Sequence, residues 1–237
     1  MATVRDGICR VRKEGARWLT TGFDGGYRTA NAAYNVSVPE GFDRTDLLTY
    51  VRERREHAGF DEPGPATLTG VDLAHARGAR SGPVEVLATV GLSNPSTLPL
   101  DPAGGGGDSG GREEDAPGDD PPTGTVNLLV TTARALDDGA LATLLGTAVE
   151  AKTATLLAET GFTGTTSDAV IVGADPSGEP AAFAGSATPV GAATRACVRE
   201  AVRAALAARY PDRAFPRSVA DADHGAVTDR RATVFEL

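Results

Sequence analysis

The 237-residue chain reads as a single α+β domain, with about seven or eight strands in mixed or antiparallel sheets covered by three main helices. Three observations predict this. Apolar runs with strand character at 84–92 and 125–132 flank a segment with almost no apolar residue, as the arms of a long hairpin would. A second pair, 169–174 and 181–184, flanks the turn Asp175-Pro-Ser-Gly-Glu179 in the same way. Helical spacing of apolar residues recurs at about 43–58, 138–160 and 192–209. Hairpin-like links argue against an all-parallel sheet, so a doubly wound α/β fold is the alternative, and an αββα layering of the same elements also fits.

In chain order, Ile8 to Val11 and Trp18 to Gly22 read as two strands joined across Lys13-Glu-Gly15. The paired glycines Gly25 and Gly26 allow either a left-handed turn or the close approach of a ligand. Strand character resumes through Asn35-Val-Ser-Val38. Asp43 or Thr45 caps a helix to about Ala58, stopped by Pro63 and Pro65. Thr67 to Gly70 precedes a short helix at Val71 to Ala76, and Val84 to Leu92 is a strong strand. Asp138 opens a helix to about Thr160, a Gly-Thr loop runs from Gly161 to Asp168, and Ala169 to Ala174 is apolar strand. A third helix covers about Ala192 to Arg209, ended by Pro211. The tail from 211 has weak periodicity, with Ala232 to Leu237 a candidate edge strand; the main domain is taken as 1–210.

Composition excludes several function classes. The net charge of −9 is concentrated in 101–123, where seven acids face one arginine; elsewhere the balance is −3. That segment is too poor in apolar residues to offset its ordering entropy and reads as a disordered loop whose deletion leaves activity intact. No basic face argues for nucleic acid or an anionic membrane. No apolar run approaches the ~18 residues of a membrane span, and the N-terminus lacks a signal-peptide core, so a cytoplasmic product is expected. Cys9, Cys197 and three separated histidines make no metal-binding spacing, so no metal and no resident cofactor are expected. Oligomeric state stays open, a homo-oligomer included. Acidity with lysine almost replaced by arginine resembles proteins of salt-loving, GC-rich microbes.

One of those rare lysines is the most informative residue. With Leu141 at zero and about 100° per residue, Leu144, Leu145, Ala148, Val149 and Leu156 share one stripe of the helix. Lys152 falls inside that stripe and Glu150 on the opposite face. A lysine there must snorkel, find a partner or give up its charge.

Several motifs, in order and at matching spacing over about residues 15–208, resemble the adenosylcobinamide amidohydrolases, archaeal-type corrinoid salvage enzymes. They are Leu19-Thr-Thr with Gly25-Gly26 and Asn35-Val-Ser-Val; Ala88-Thr-Val-Gly-Leu-Ser-Asn94; Gly124-Thr-Val-Asn127; Glu150-Ala-Lys152; Gly164-Thr-Thr-Ser-Asp-Ala-Val170; and Phe183-Ala-Gly-Ser-Ala-Thr-Pro-Val-Gly191. The resemblance implies a corrinoid substrate: cleavage of the amide joining the aminopropanol arm to the corrin ring of adenosylcobinamide, releasing adenosylcobyric acid for coenzyme B12 assembly. A non-catalytic corrinoid-binding module is the alternative. The segment 124–174 is also faintly similar to self-processing aminopeptidases with a four-layer αββα sandwich.

Amide hydrolysis needs a nucleophile, its activation, oxyanion stabilisation and a proton for the leaving amine. Residue types nominate Thr165, Thr166 and Ser167 as hydroxyls and Asp168 as the group that orients or deprotonates a water. Lys152 is nominated as base or oxyanion stabiliser. Glu150 joins the catalytic candidates through its motif. Gly25, Gly26, Asn35, Asn94 and Asn127 are the candidates for holding substrate, whose many amides suit asparagine partners.

Overall fold

The computed structural model describes residues 2–102 and 124–237; the acidic segment of the expected loop lies almost entirely outside the described residues. Strands are β1 (Ala2–Arg5), β2 (Ile8–Thr20), β3 (Gly26–Ser37), β4 (Ala66–Thr69), β5 (Arg77–Ser81), β6 (Val84–Val90), β7 (Pro95–Thr97), β8 (Val126–Ala135), β9 (Gly164–Thr165), β10 (Ala169–Pro180) and β11 (Ala226–Val227). Helices are α1 (Leu47–His57), α2 (Asp138–Thr160) and α3 (Pro189–Arg209). Eight strands form one mixed sheet, ordered β4-β3-β2-β10-β8-β6-β5 with β1 paired to β2; β11, β7 and β9 form a small second sheet. The α+β expectation holds.

Two parallel pairs, β3 with β4 and β8 with β10, need crossovers, and α1 and α2 supply them. The other pairs of the large sheet are antiparallel. Alternation along β8 and β10 separates two faces. Leu128, Val130, Val170 and Val172 meet α2 and α3, whose buried stripes include Leu141, Leu144, Leu156, Val198 and Val202. Leu129 and Ile171, on the opposite face, pack instead against Val11, Ala16, Trp18 and Ala33 of β2 and β3. The sheet therefore curls over its own inner face. On the far side of β2 and β3, Ile8, Tyr34 and Val36 meet Tyr50 and Val51 of α1. The layers run helix pair, sheet, sheet, helix.

Gly173 shows how tightly the inner layer is filled. A Cβ there would run into the indole ring of fully buried Trp18, whose Nε1 donates to the Ala30 carbonyl at 2.9 Å. Gly173→Ala is therefore expected to destabilise by about 1–3 kcal/mol, as overpacked cores do; a thermal or urea melt reads it.

Some local expectations are corrected. Ile8 to Thr20 is one strand, not two: Lys13-Glu-Gly15 makes a bulge, seen as the register shift between Arg12 and Ala16, with Gly15 at φ 60°. The hairpin from 169–174 to 181–184 does not form. β10 instead continues to Pro180 and, after a register shift, pairs Glu179 with Arg134 of β8. The short helix near 71–76 is a single tight turn at Leu73–His75, with Asp72 capping Ala74 N–H at 2.8 Å. β5 was missed because its alternation is weak and mostly exposed. Helix α1 begins after Asp46, which makes no side-chain cap bond; Asp46 is engaged by Arg44 instead. Helix α3 begins earlier than expected, at Pro189, because Thr188 caps it through Gly191 N–H at 3.0 Å. The tail adds β11 on β7 at 226–227, and 232–237 forms no strand. Against the expectation of no membrane-length apolar segment, α2 is long and apolar enough to cross a membrane; its apolar stripe lies against the sheet.

Candidate functional site

A cavity of about 440 Å³ opens where the ends of β2, β3 and β4 meet the starts of β8 and β10. Its walls are mostly apolar, with Phe23, Val38, Phe42, Leu47 and Leu68 among them. Its polar groups converge on one side: Thr67 and Thr69 from β4, Thr125 before β8, and Ser167 and Asp168 before β10. Apolar walls with a few converging polar groups are what a small-molecule site requires. Among the described residues that line it, Asp168 is the single ionisable one.

Asp168 is held from four directions. Its Oδ1 accepts from Val126 N–H at 2.9 Å and from the Thr165 hydroxyl; its Oδ2 accepts from Thr165 N–H at 3.2 Å and from Lys152 Nζ. The last contact is a buried ion pair, with the two side chains only 7 % and 11 % exposed. Lys152 thus meets its apolar stripe by finding a partner rather than by snorkelling. The pair closes the loop between α2 and β10, and Gly164 is part of the closure, because a Cβ there would strike the Asp168 carboxylate. Gly161, at φ 82°, ends α2 in the left-handed conformation that starts the loop.

The structure brings Lys152, Thr165, Thr166, Ser167 and Asp168 together. Ser167 reaches the cavity, its hydroxyl donating to the Gly124 carbonyl at 3.2 Å; Thr165 is buried behind Asp168. Thr166 is exposed, and its hydroxyl accepts from Asn94 Nδ2 at 2.7 Å. Glu150 stands apart, exposed on the outer face of α2 and paired with Arg195 of α3. Glu150→Gln is therefore expected to leave turnover within a few-fold and stability within about 1 kcal/mol, the range of exposed ion pairs; steady-state kinetics and a melt check both.

The three asparagines bind the protein itself. Asn127 Nδ2 donates to Asn35 Oδ1 at 3.1 Å and to the Leu68 carbonyl at 2.7 Å, while its Oδ1 accepts from Ala169 N–H at 3.2 Å. Asn35 Nδ2 donates to Thr89 Oγ1 at 3.1 Å, and its Oδ1 also accepts from Thr67 at 2.9 Å. These bonds tie the two sheet layers together directly beneath the cavity. Asn94 is fully buried and props the 164–168 loop from below. Gly25 and Gly26 form the β2–β3 turn, with Gly26 at φ 109°, and leave the cavity wall to Gly22 and Phe23.

Sequence reasoning missed Phe23, Val38, Phe42 and Leu47 as cavity residues. Their signal was apolar side chains in segments that carry no secondary-structure period, which a single sequence does not separate from ordinary core. Neither cysteine lines the cavity. Burial pushes the Cys9 thiol up to about 11 and raises that of Cys197 as well, so neither presents a thiolate. Among the described residues no group of three or more histidines, cysteines and carboxylates gathers to hold a metal.

Known proteins match this chain along nearly its whole length. A sequence profile of adenosylcobinamide amidohydrolase matches residues 2–214. An adenosylcobinamide amidohydrolase of Halobacterium salinarum is 53 % identical over 235 residues, 98 % of this chain and 97 % of that protein. One from Methanosarcina mazei is 25 % identical over 202 residues, 81 % of this chain and 90 % of that protein. A solved protein of Pyrococcus horikoshii OT3 aligns over 86 % of this chain and 78 % of its own at 13 % identity, with a TM-score of 0.40. Every motif that carried the resemblance lies within the matched span, and by that match the chain belongs to the adenosylcobinamide amidohydrolase family.

Proposed function

We propose that the chain hydrolyses the amide between the aminopropanol arm and the corrin ring of adenosylcobinamide, giving adenosylcobyric acid for re-entry into coenzyme B12 assembly. The observation that carries the reading, beside family membership, is the placement of one buried, lysine-paired carboxylate as the lone ionisable group, among the described residues, on the wall of an apolar cavity. The cavity has the size of a drug-like ligand, so it admits the amide-bearing arm and the rim of the macrocycle.

The chemistry follows from what reaches the cavity. Asp168 takes the proton of an attacking water, freeing Oδ1 as the Thr165 hydroxyl turns aside. The water oxygen adds to the amide carbon, and the Ser167 hydroxyl leaves the Gly124 carbonyl to donate to the developing oxyanion. Protonated Asp168 then returns its proton to the leaving amine as the C–N bond breaks. Lys152 compensates the Asp168 charge throughout and acts as a positioning residue, since it does not line the cavity.

The test is incubation with adenosylcobinamide and mass spectrometry for the carboxylate product. Binding without product would leave a corrinoid-binding module and reject the reading. Thr165→Val separates water attack from attack by the threonine. With water as nucleophile the variant should keep turnover within about tenfold, less than the worth of a hydrogen bond to a charged group, because the Thr165 bond to Oδ1 is given up before the proton moves. A loss beyond about 1,000-fold would move the nucleophile to Thr165.

A further inference from the structure

A second cavity of about 280 Å³ lies beside the first, on the other side of Phe23, which lines both. The two also divide adjacent residues between them: Leu47 and Thr67 face the first, Leu48 and Ala66 the second. Unlike the first, the second is basic. Arg28 of β3 and Arg52 and Arg55 of α1 line it against one carboxylate, Asp24, in a protein whose overall charge is −9.

The arginines are incompletely engaged. Arg28 gives both terminal nitrogens to Asp24, but its Nε is buried without an acceptor. Arg55 Nε is likewise buried without one, and among the described residues neither Arg55 nor Arg52 places its guanidinium in a hydrogen bond or ion pair. A half-buried guanidinium whose Nε has no acceptor, beside the exposed guanidinium of Arg52 one turn away, matches a tetrahedral dianion.

We propose that this chamber is an anion subsite, taking a phosphate-class group on Arg52 and Arg55 with Arg28 behind them. Two sources share that chemistry: a phosphate ester on the arm of a corrinoid seated in the first cavity, or free phosphate. The first source rests on the corrinoid reading; the second does not.

The experiment compares the full-length protein with an Arg52→Gln/Arg55→Gln variant at constant ionic strength. Equilibrium dialysis, read by corrinoid absorbance, measures binding of adenosylcobinamide and of the same corrinoid phosphorylated on its aminopropanol arm. Thermal melts are run in parallel against inorganic phosphate. A corrinoid-borne ligand predicts about tenfold or tighter binding of the phosphorylated form, lost in the variant, with adenosylcobinamide cleavage unchanged. Free phosphate predicts a saturable rise in melting temperature, lost in the variant, with both corrinoids binding alike. Arg55→Lys, which keeps the charge without the fork, should retain part of either effect. If wild type and variant respond identically to phosphate and to the phosphorylated corrinoid, the subsite is rejected. If no corrinoid binds at all, the substrate reading fails, and the phosphate melts alone decide the subsite.

Discussion

Lys152→Met is expected to lower turnover of adenosylcobinamide by about 100-fold or more, the lower range for disabling a general acid or base. It should also destabilise the protein. From the helix alone, removal of an awkward amine from an apolar stripe would be neutral or favourable; the ion pair reverses that sign. Removing one partner of a buried pair leaves the other uncompensated and costs about 3–5 kcal/mol. The lower end applies here, because Asp168 keeps Val126 N–H, Thr165 N–H and the Thr165 hydroxyl. Methionine preserves the unbranched stem on the buried stripe that also carries Ala148 and Leu156, so the loss reads the charge rather than a void. Urea melts and single-turnover kinetics on the folded fraction measure the two effects separately. A folded variant with near-full turnover would remove Lys152 from the chemistry.

Asp168→Asn should lose at least as much activity, about 100-fold or more, because an amide cannot take the proton. Its stability cost is of the same order, about 3–5 kcal/mol. The carboxylate accepts four donors, and an amide nitrogen in its place faces donors that it cannot satisfy. The double variant Lys152→Met/Asp168→Asn separates structure from chemistry. With no charge left in the pair, its loss of stability should fall short of the sum of the two single losses by about 0.5–3 kcal/mol, the range for residues in direct contact. Turnover should remain abolished. Recovery of turnover along with stability would make the pair a structural staple and move the proton transfer elsewhere.

The physics that made Lys152 legible is local. A helix fixes the angular position of every residue from sequence alone, so a lysine in the apolar stripe could be recognised without knowing what it meets. The same holds for α2 itself, whose opening at Asp138 and stop at Gly161 are written in adjacent residues, and for β6 and β8, whose apolar runs mark them as buried strands. The Gly-Thr loop was recognisable as a cluster of hydroxyls and a carboxylate between a helix and a strand.

What that cluster does was decided at distance. Asp168 meets Lys152 across sixteen residues, and Val126 across forty-two; no periodicity encodes either. Asn35, Asn94 and Asn127 carry the same residue type as substrate-binding asparagines, and only the curl of the sheet turned their amides to one another and to the loop. The cavity walls come from the end of β2, from β4 and from the start of α1, segments apart in sequence that the β3–α1–β4 crossover folds against the starts of β8 and β10. The sequence by itself determined the elements, because helix and strand periods are properties of a few consecutive residues. The tertiary structure alone decided the partners, because burial and charge pairing depend on which faces the folded sheet brings together.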